Sequence, residues 1–172
     1  MKRFASYYSL FYVIICLLLL AFPVRIYAEE AASSGLKIPR FVSIVFDEAN
    51  MRVGPGTQFP VKWQYRRAGM PLEVISEYDQ WREVRDRDGV HGWMHVRLLT
   101  GTRYGLVTTT EPGIPMRRDP EAEGYILAFL RQNVIVKLNQ CLGDWCGVST
   151  TGLEGWVQRS HLWGIYPDEV FD

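Results

Sequence analysis

The chain is poor in the residue types from which most enzyme active sites are built. It contains three cysteines and three histidines in 172 residues, and no glycine-rich phosphate loop, serine-nucleophile motif or paired-carboxylate cleft is evident. Its formal net charge is zero at pH 7, and it has no basic stripe of the kind that nucleic-acid-binding proteins carry. These absences predict a protein that is not an enzyme, needs no cofactor and does not bind nucleic acid.

Long apolar runs are also scarce, and the one present lies near the N-terminus. Residues 10–22 form an unbroken run of 13 apolar residues after the basic pair Lys2 and Arg3, and a cleavage site follows Ala28. This layout is typical of a secretory signal peptide, and the run is short for a membrane-spanning helix, which needs roughly 20 residues. We therefore predict cleavage after Ala28 and a periplasmic or secreted protein without a permanent membrane span. Retention of the leader as an anchor is the alternative.

Two cysteines remain beyond this leader, because Cys16 lies within it. If residues 142–145 turn a hairpin, Cys141 and Cys146 face each other at a Cα distance of about 4.5–5.5 Å, which suits a disulfide. An oxidising compartment favours that pairing. Two alternatives use the same residues: a nucleophile–base pair of Cys146 with His161, and a zinc site. The zinc site lacks a clear fourth ligand, so we predict no metal.

The chain beyond the leader contains an internal repeat with a spacing of 63 to 65 residues. The marks that recur are Met51-Arg52 with Met116-Arg117, Trp81 with Trp145, Gly92-Trp93 with Gly155-Trp156, and Leu99 with Leu162. A tryptophan retained in both copies favours core packing for Trp81 and Trp145. The predicted organisation is a signal peptide (1–28), a short flexible segment (29–38), repeat 1 (39–101) and repeat 2 (102–172).

Each repeat shows the apolar alternation of half-buried β-strands. Trp63 and Tyr65 alternate with polar residues in repeat 1, and Val134, Val136 and Leu138 alternate in repeat 2. Glycine and proline turn signals are dense, and no stretch beyond the leader sustains a 3.6-residue period. Short, closely spaced strands favour a small antiparallel barrel, so the predicted fold class is all-β. A 60-residue unit is marginal alone, so we expect the two copies to pack together.

Three segments of repeat 1 carry recognisable motifs: residues 50–61 (Asn-Met-Arg-Val-Gly-Pro-Gly-Thr-Gln-Phe-Pro-Val), 81–84 (Trp-Arg-Glu-Val) and 91–94 (His-Gly-Trp-Met). The first resembles the opening of the bacterial SH3 (SH3b) domain, and the other two resemble its later strands. The ending at 163–167, with the Cys-x4-Cys hairpin, resembles exported double SH3-like proteins of Gram-negative bacteria. The resemblance implies two tandem SH3-like β-barrels after an N-terminal signal peptide, in a non-catalytic protein that acts at the cell envelope.

The candidate ligand-binding residues lie on repeat 1, where the resemblance is closer. In the repeat alignment Arg66 falls opposite Leu130, so the fold does not require the basic pair Arg66-Arg67. Tyr65 falls opposite Phe129, so its ring is expected in the core and only its hydroxyl is distinctive.

Two further candidates border the first loop of repeat 1. Asn50 and Arg52 lie there, and an arginine offers a planar fork to a carboxylate. The predicted ligand-binding residues are Asn50, Arg52, Tyr65, Arg66 and Arg67. The alternative is that these arginines pair with nearby surface carboxylates, namely Glu73, Glu77 or Glu83.

Two functions agree with these observations. In the first, the protein binds peptidoglycan or its peptides, which are rich in carboxylates and small residues. In the second, it is a periplasmic protein–protein adaptor that docks an envelope enzyme or another partner.

Overall fold

The computed structural model describes residues 34–109 and 112–171, so the predicted signal peptide and its cleavage site after Ala28 lie outside the described residues. The described chain consists of β-strands and two short 3₁₀ turns. None of its helical segments is long and apolar enough to cross a bilayer.

Repeat 1 folds into one seven-stranded sheet in the order β3-β2-β6-β5-β4-β1-β7. Its strands are β1 (Arg40–Ile44), β2 (Ala49–Arg52), β3 (Val61–Tyr65), β4 (Pro71–Tyr78), β5 (Trp81–Arg85), β6 (His91–His95) and β7 (Leu99–Thr100). A 3₁₀ turn at Val96–Leu98 leads from β6 to β7. The central meander β4-β5-β6 is antiparallel, and β1 joins β7 to its far side.

Repeat 2 has the same topology, in the order β10-β9-β13-β12-β11-β8-β14. Its strands are β8 (Tyr104–Val107), β9 (Ile114–Arg117), β10 (Ile126–Leu130), β11 (Ile135–Leu142), β12 (Trp145–Thr150), β13 (Leu153–Gln158) and β14 (Leu162–Trp163). The second 3₁₀ turn, Arg159–His161, again follows the meander. The prediction of two tandem SH3-like barrels is confirmed.

Each barrel has its own apolar core, formed by the inward-facing residues of its strands. Met51, Val84 and Met94 are completely buried in repeat 1, as are Met116 and Val148 in repeat 2. Full burial of a side chain of this size stabilises a fold by about 1.5–3 kcal/mol. The repeated methionine at the second strand therefore marks a core position that both barrels need.

The register of β2–β3 and β9–β10 corrects the repeat alignment. Ala49 pairs with Tyr65, and the equivalent Ile114 pairs with Leu130. Tyr65 therefore corresponds to the buried Leu130 and not to Phe129, which is 59% exposed. Equivalent residues of the two repeats are 65 apart through β3 and β10, and 64 apart from β4 and β11 onwards. The sequence alignment had placed this change before β3, which shifted the residues of that strand by one position.

The same correction removes the reason for treating Arg66 as a residue that the fold does not require. Its counterpart in repeat 2 is Arg131 and not Leu130, because Arg66 directly follows Tyr65 just as Arg131 follows Leu130. A basic residue after this strand is therefore shared by both barrels.

The prediction that Trp81 and Trp145 are core residues is wrong. Both are only half-buried. On β5 the buried positions are Arg82 and Val84, and because successive side chains of a strand point to opposite faces, Trp81 faces outward. A residue shared by two repeats can thus occupy a shared surface position.

The β11–β12 hairpin of repeat 2 is closed by a disulfide between Cys141 and Cys146, as predicted. The two cysteines are directly opposite in the strand register and completely buried. At the equivalent position of repeat 1, Glu77 lies opposite Arg82, and the carboxylate and guanidinium are 3.2 Å apart. Two different kinds of side-chain pair thus close the same hairpin.

The Glu77 carboxylate is the centre of a small polar network. It accepts hydrogen bonds from the backbone N–H and hydroxyl of Ser34, at 2.6 and 2.7 Å, and from Arg40 at 2.6 Å. Burial by itself raises the pKa of Glu77, but these hydrogen bonds and the charge of Arg82 outweigh it, and the pKa falls to about 2.

Side chains from both repeats meet around Phe41. Its ring lies 5.1 Å from Trp163 and 4.7 Å from Tyr166, measured between ring centroids. The Tyr166 hydroxyl donates to Glu73 at 2.9 Å. Arg67 makes a further contact by donating to the backbone carbonyl of Asn133 at 2.9 Å. The two barrels therefore pack against each other, as their small size led us to expect.

Candidate binding groove on repeat 1

A groove of about 410 Å³ opens on repeat 1, between β2, the loop 53–60 and the 3₁₀ turn after β6. Its lining residues are Glu48, Asn50, Arg52, Thr57, Trp81, His95, Arg97 and Leu98. The groove combines an aromatic wall with two arginines, one carboxylate and an amide. This mixture suits a ligand with both apolar and charged groups.

Trp81 and His95 form the aromatic wall. They pair across β5 and β6, and their rings meet edge to face with centroids 5.3 Å apart. The backbone N–H of Arg97 donates to Nδ1 of His95 at 3.2 Å, so the neutral imidazole carries its hydrogen on Nε2. This bond fixes the orientation of the ring against Trp81.

Arg97 is the exposed basic residue of the groove. It lies in the turn Val96–Leu98, and within the described residues no salt bridge engages its guanidinium. A guanidinium of this kind can present two parallel N–H donors to a carboxylate. Arg97 is therefore the side chain of the groove best suited to bind an acidic group.

Arg52 also lines the groove, but its guanidinium has a structural partner. Its Nη1 donates to the carbonyl oxygen of Phe59 at 2.7 Å, across the loop that follows β2. Arg117 does the same in repeat 2, where Nη1 donates to Gly124 at 2.6 Å. The arginine after the repeated methionine thus holds this loop in both barrels.

Asn50 and Arg66 are connected by Gln64. The side-chain amide of Gln64 donates to Asn50 Oδ1 at 3.2 Å and accepts from Arg66 Nε at 3.2 Å. Asn50 is a lining residue, whereas Arg66 stands outside the groove at the end of this hydrogen-bonded chain.

Tyr65 and Arg67 are not brought to the groove. The Tyr65 side chain is 5% exposed, and its hydroxyl donates to Asp86 at 3.0 Å. Burial, together with the adjacent Asp86 charge, raises the pKa of Tyr65. The tyrosine therefore ties β3 to the turn between β5 and β6, and Arg67 contacts repeat 2.

The three carboxylates predicted as alternative partners for these arginines contact other residues. Glu73 pairs with Arg85 at 2.5 Å, and Glu83 lies 3.0 Å from His91. Glu77 binds Arg40 and Arg82, as described above. Among the described residues, neither Arg52 nor Arg66 forms an ion pair with any of the three.

A second cavity, of about 500 Å³, lies on repeat 2 beside Arg159. Arg159 is 7% exposed, and its Nη1 donates to the carbonyl oxygens of Tyr166, Pro167 and Glu169. This arginine holds the C-terminal segment against the barrel. Its guanidinium thus binds backbone carbonyls of the protein itself, unlike that of Arg97.

Sequence reasoning found Asn50 and Arg52 but missed Trp81, His95 and Arg97. A signal for them was present in the comparison of the two repeats. Three polar lining residues of repeat 1 have different counterparts in repeat 2: Asn50 corresponds to Pro115, His95 to Gln158 and Arg97 to Ser160. Polar residues that only one repeat carries are not explained by the shared fold.

Known proteins provide an independent comparison. The family described as bacterial SH3 domain matches residues 45–101 and again residues 110–164. No curated protein matches the chain at a significant level.

Two solved structures are similar, NlpC2 and NlpC1 from Trichomonas vaginalis, each with 12% sequence identity. NlpC2 aligns with a TM-score of 0.33 over 74% of this chain and 49% of its own. NlpC1 aligns with a TM-score of 0.32 over 77% of this chain and 48% of its own. The chain spans about half the length of these structures, and such scores support no transfer of function. The duplicated match and the two barrels agree, and the chain belongs to the bacterial SH3 domain family.

Proposed function

We propose that the chain is a non-catalytic, exported binding protein of the cell envelope, and that it binds peptidoglycan peptides in the groove of repeat 1. The observation that carries the proposal is the position of Arg97 beside the Trp81–His95 pair. Peptide stems of peptidoglycan combine carboxylates with small apolar side chains. Arg97 can bind a carboxylate, and the face of Trp81 can cover an apolar group.

The polar groups around this pair can orient a bound peptide in the groove. Asn50 offers an amide that can donate to and accept from a peptide backbone, and Glu48 offers a carboxylate for an amino group. Arg52 contributes indirectly, because it holds the loop that forms one side of the groove. A short peptide with charges of both signs fits this arrangement.

The test is co-sedimentation of the purified protein with isolated sacculi. We expect retention of the unmodified protein and its loss in Trp81→Ala, which removes one wall of the groove. The matched control is Trp145→Ala, the same residue of repeat 2 at a similarly half-buried position, which should still sediment. Absence of retention, together with co-purification of one discrete envelope protein, would overturn the proposal in favour of an adaptor.

A further inference from the structure

A side-chain hydrogen bond caps the 3₁₀ turn of repeat 1. His95 is the last residue of β6, and its Nδ1 accepts from the backbone N–H of Arg97 at 3.2 Å. Arg97 is the second residue of the turn, which is a position that an N-terminal cap binds. Such caps are most often serine, threonine, aspartate or asparagine, so an imidazole in this place is unusual.

The turn of repeat 2 forms without such a bond. Within the part of the chain that the structure describes, its N-terminal cap Gln158 makes no side-chain hydrogen bond to the turn. The same backbone bond holds both turns to the preceding hairpin loop, from Val96 to the carbonyl of Gln80 at 2.8 Å and from Arg159 to that of Asp144 at 2.9 Å. The fold of the turn therefore does not require the imidazole bond.

The additional bond connects the aromatic wall of the groove to its exposed basic residue. The imidazole of His95 packs edge to face against Trp81, with ring centroids 5.3 Å apart, and its Nδ1 binds the backbone of Arg97. In repeat 2 the residue that corresponds to Arg97 is Ser160, which has no guanidinium to position. The capped turn is thus the one that carries the arginine.

We propose that His95 is a positioning residue, and that its neutral imidazole holds Arg97 in place for the carboxylate of a bound peptide. This proposal rests on the proposed function, because the position of Arg97 matters only if the groove binds an acidic group. A turn that is ordered before binding loses less conformational entropy on binding than a mobile turn does. The cap therefore strengthens peptide binding without a contact between the imidazole and the peptide.

Protonation of His95 removes the acceptor. An imidazolium donates from both ring nitrogens, so its Nδ1–H and the N–H of Arg97 would face each other without an acceptor between them. Of the described residues that line the groove, Glu48 favours a positive imidazole and Arg52 and Arg97 oppose it, whereas Trp81 is uncharged. Histidines ordinarily take up this proton between about pH 8 and pH 5, so peptide binding should weaken as the pH falls through that range.

The test is calorimetric titration with a soluble peptidoglycan stem peptide at pH 8 and at pH 5. We expect at least about tenfold weaker binding at pH 5 for the unmodified protein. Two variants separate the acceptor from the ring. His95→Asn keeps an acceptor at the same distance along the side chain and does not titrate, whereas His95→Phe keeps a ring beside Trp81 without an acceptor. His95→Asn should bind equally well at both pH values, and more tightly than His95→Phe at pH 8.

An NMR titration without peptide tests the bond itself. The amide proton of Arg97 should move upfield in step with protonation of His95, and should shift little in His95→Asn, which retains His91 and His161. Equal or stronger binding by the unmodified protein at pH 5, equal binding by the two variants at pH 8, or an Arg97 amide that does not respond to His95 would each overturn the positioning role. Absence of peptide binding at both pH values, with the amide response present, would instead overturn the proposed function on which this role depends.

Discussion

In repeat 1 the β4–β5 hairpin is closed by Glu77 and Arg82, whose charged groups lie 3.2 Å apart, whereas repeat 2 closes the equivalent hairpin with the Cys141–Cys146 disulfide. A covalent bond responds to reductant, and an ion pair responds to pH. Both barrels thus have a cross-strand link at this position, with different chemistry in each. The groove shows the reverse pattern, since its polar residues Asn50, His95 and Arg97 have no equivalents on repeat 2.

The largest effect is expected from removal of the disulfide. Replacement of both Cys141 and Cys146 by alanine should lower the free energy of unfolding by about 2–4 kcal/mol, because the unfolded chain loses a constraint and the removal of two buried sulfurs leaves a cavity. Urea unfolding of the two proteins measures the difference. Reductant should destabilise only the unmodified protein. If it lowered the free energy of unfolding of the variant by the same amount, the stabilising role of the disulfide would be contradicted.

A smaller loss is expected from the matched pair in repeat 1. Arg82→Ala should lower the free energy of unfolding by about 1–3 kcal/mol, because it leaves the Glu77 carboxylate with fewer partners in a buried position. Arg40 and Ser34 still bind Glu77, which limits the loss. The control is Arg87→Ala, which should matter less because its partner Asp88 is exposed. Equal losses would indicate that the hairpin link has no special role.

The pH dependence of stability should distinguish the two links. The pKa of Glu77 is about 2 in the folded protein, below its ordinary value of 4.5, so the unfolded chain binds its proton first. Its contribution to stability is complete above about pH 4.5 and is lost as the pH falls towards 2. In Glu77→Gln this decline should become shallower, as measured by unfolding curves across that range. If stability fell equally steeply with pH in the two proteins, the low pKa of Glu77 in the folded protein would be contradicted.

The smallest effect is expected where the repeats are alike. Arg52→Lys and Arg117→Lys should each lower the free energy of unfolding by about 0.5–1.5 kcal/mol, because a lysine reaches the loop carbonyl less well. Thermal unfolding of the two variants should give similar shifts. A loss confined to Arg52 would indicate a role beyond holding the loop.

Much of the fold could be predicted from the sequence. The recurring Met-Arg and Gly-Trp pairs marked the repeat, and the alternation of apolar residues marked the strands. The disulfide followed from two cysteines on either side of a short turn. These features are local in the sequence, so they can be recognised without knowledge of how the strands pack.

The groove was harder to predict because it depends on which face of a strand each side chain occupies and on how the strands pair. A tryptophan at the same place in both repeats predicts a core residue, but the alternation of side chains along β5 turns Trp81 outward. His95 and Arg97 come from the next strand and its turn, so only the strand pairing places them beside Trp81. The Glu77–Arg82 pair lies 64 residues before the two cysteines, so its place in the hairpin follows from the repeat once the disulfide is known.

We propose that the binding site belongs to repeat 1 and not to repeat 2. The decisive experiment is calorimetric titration with a soluble peptidoglycan stem peptide, with His95→Gln and Arg97→Ser combined to give repeat 1 the residues of repeat 2. We predict measurable binding by the unmodified protein and at least about tenfold weaker binding by the double variant. Unchanged affinity in the double variant, with loss of binding in Trp145→Ala instead, would contradict the claim.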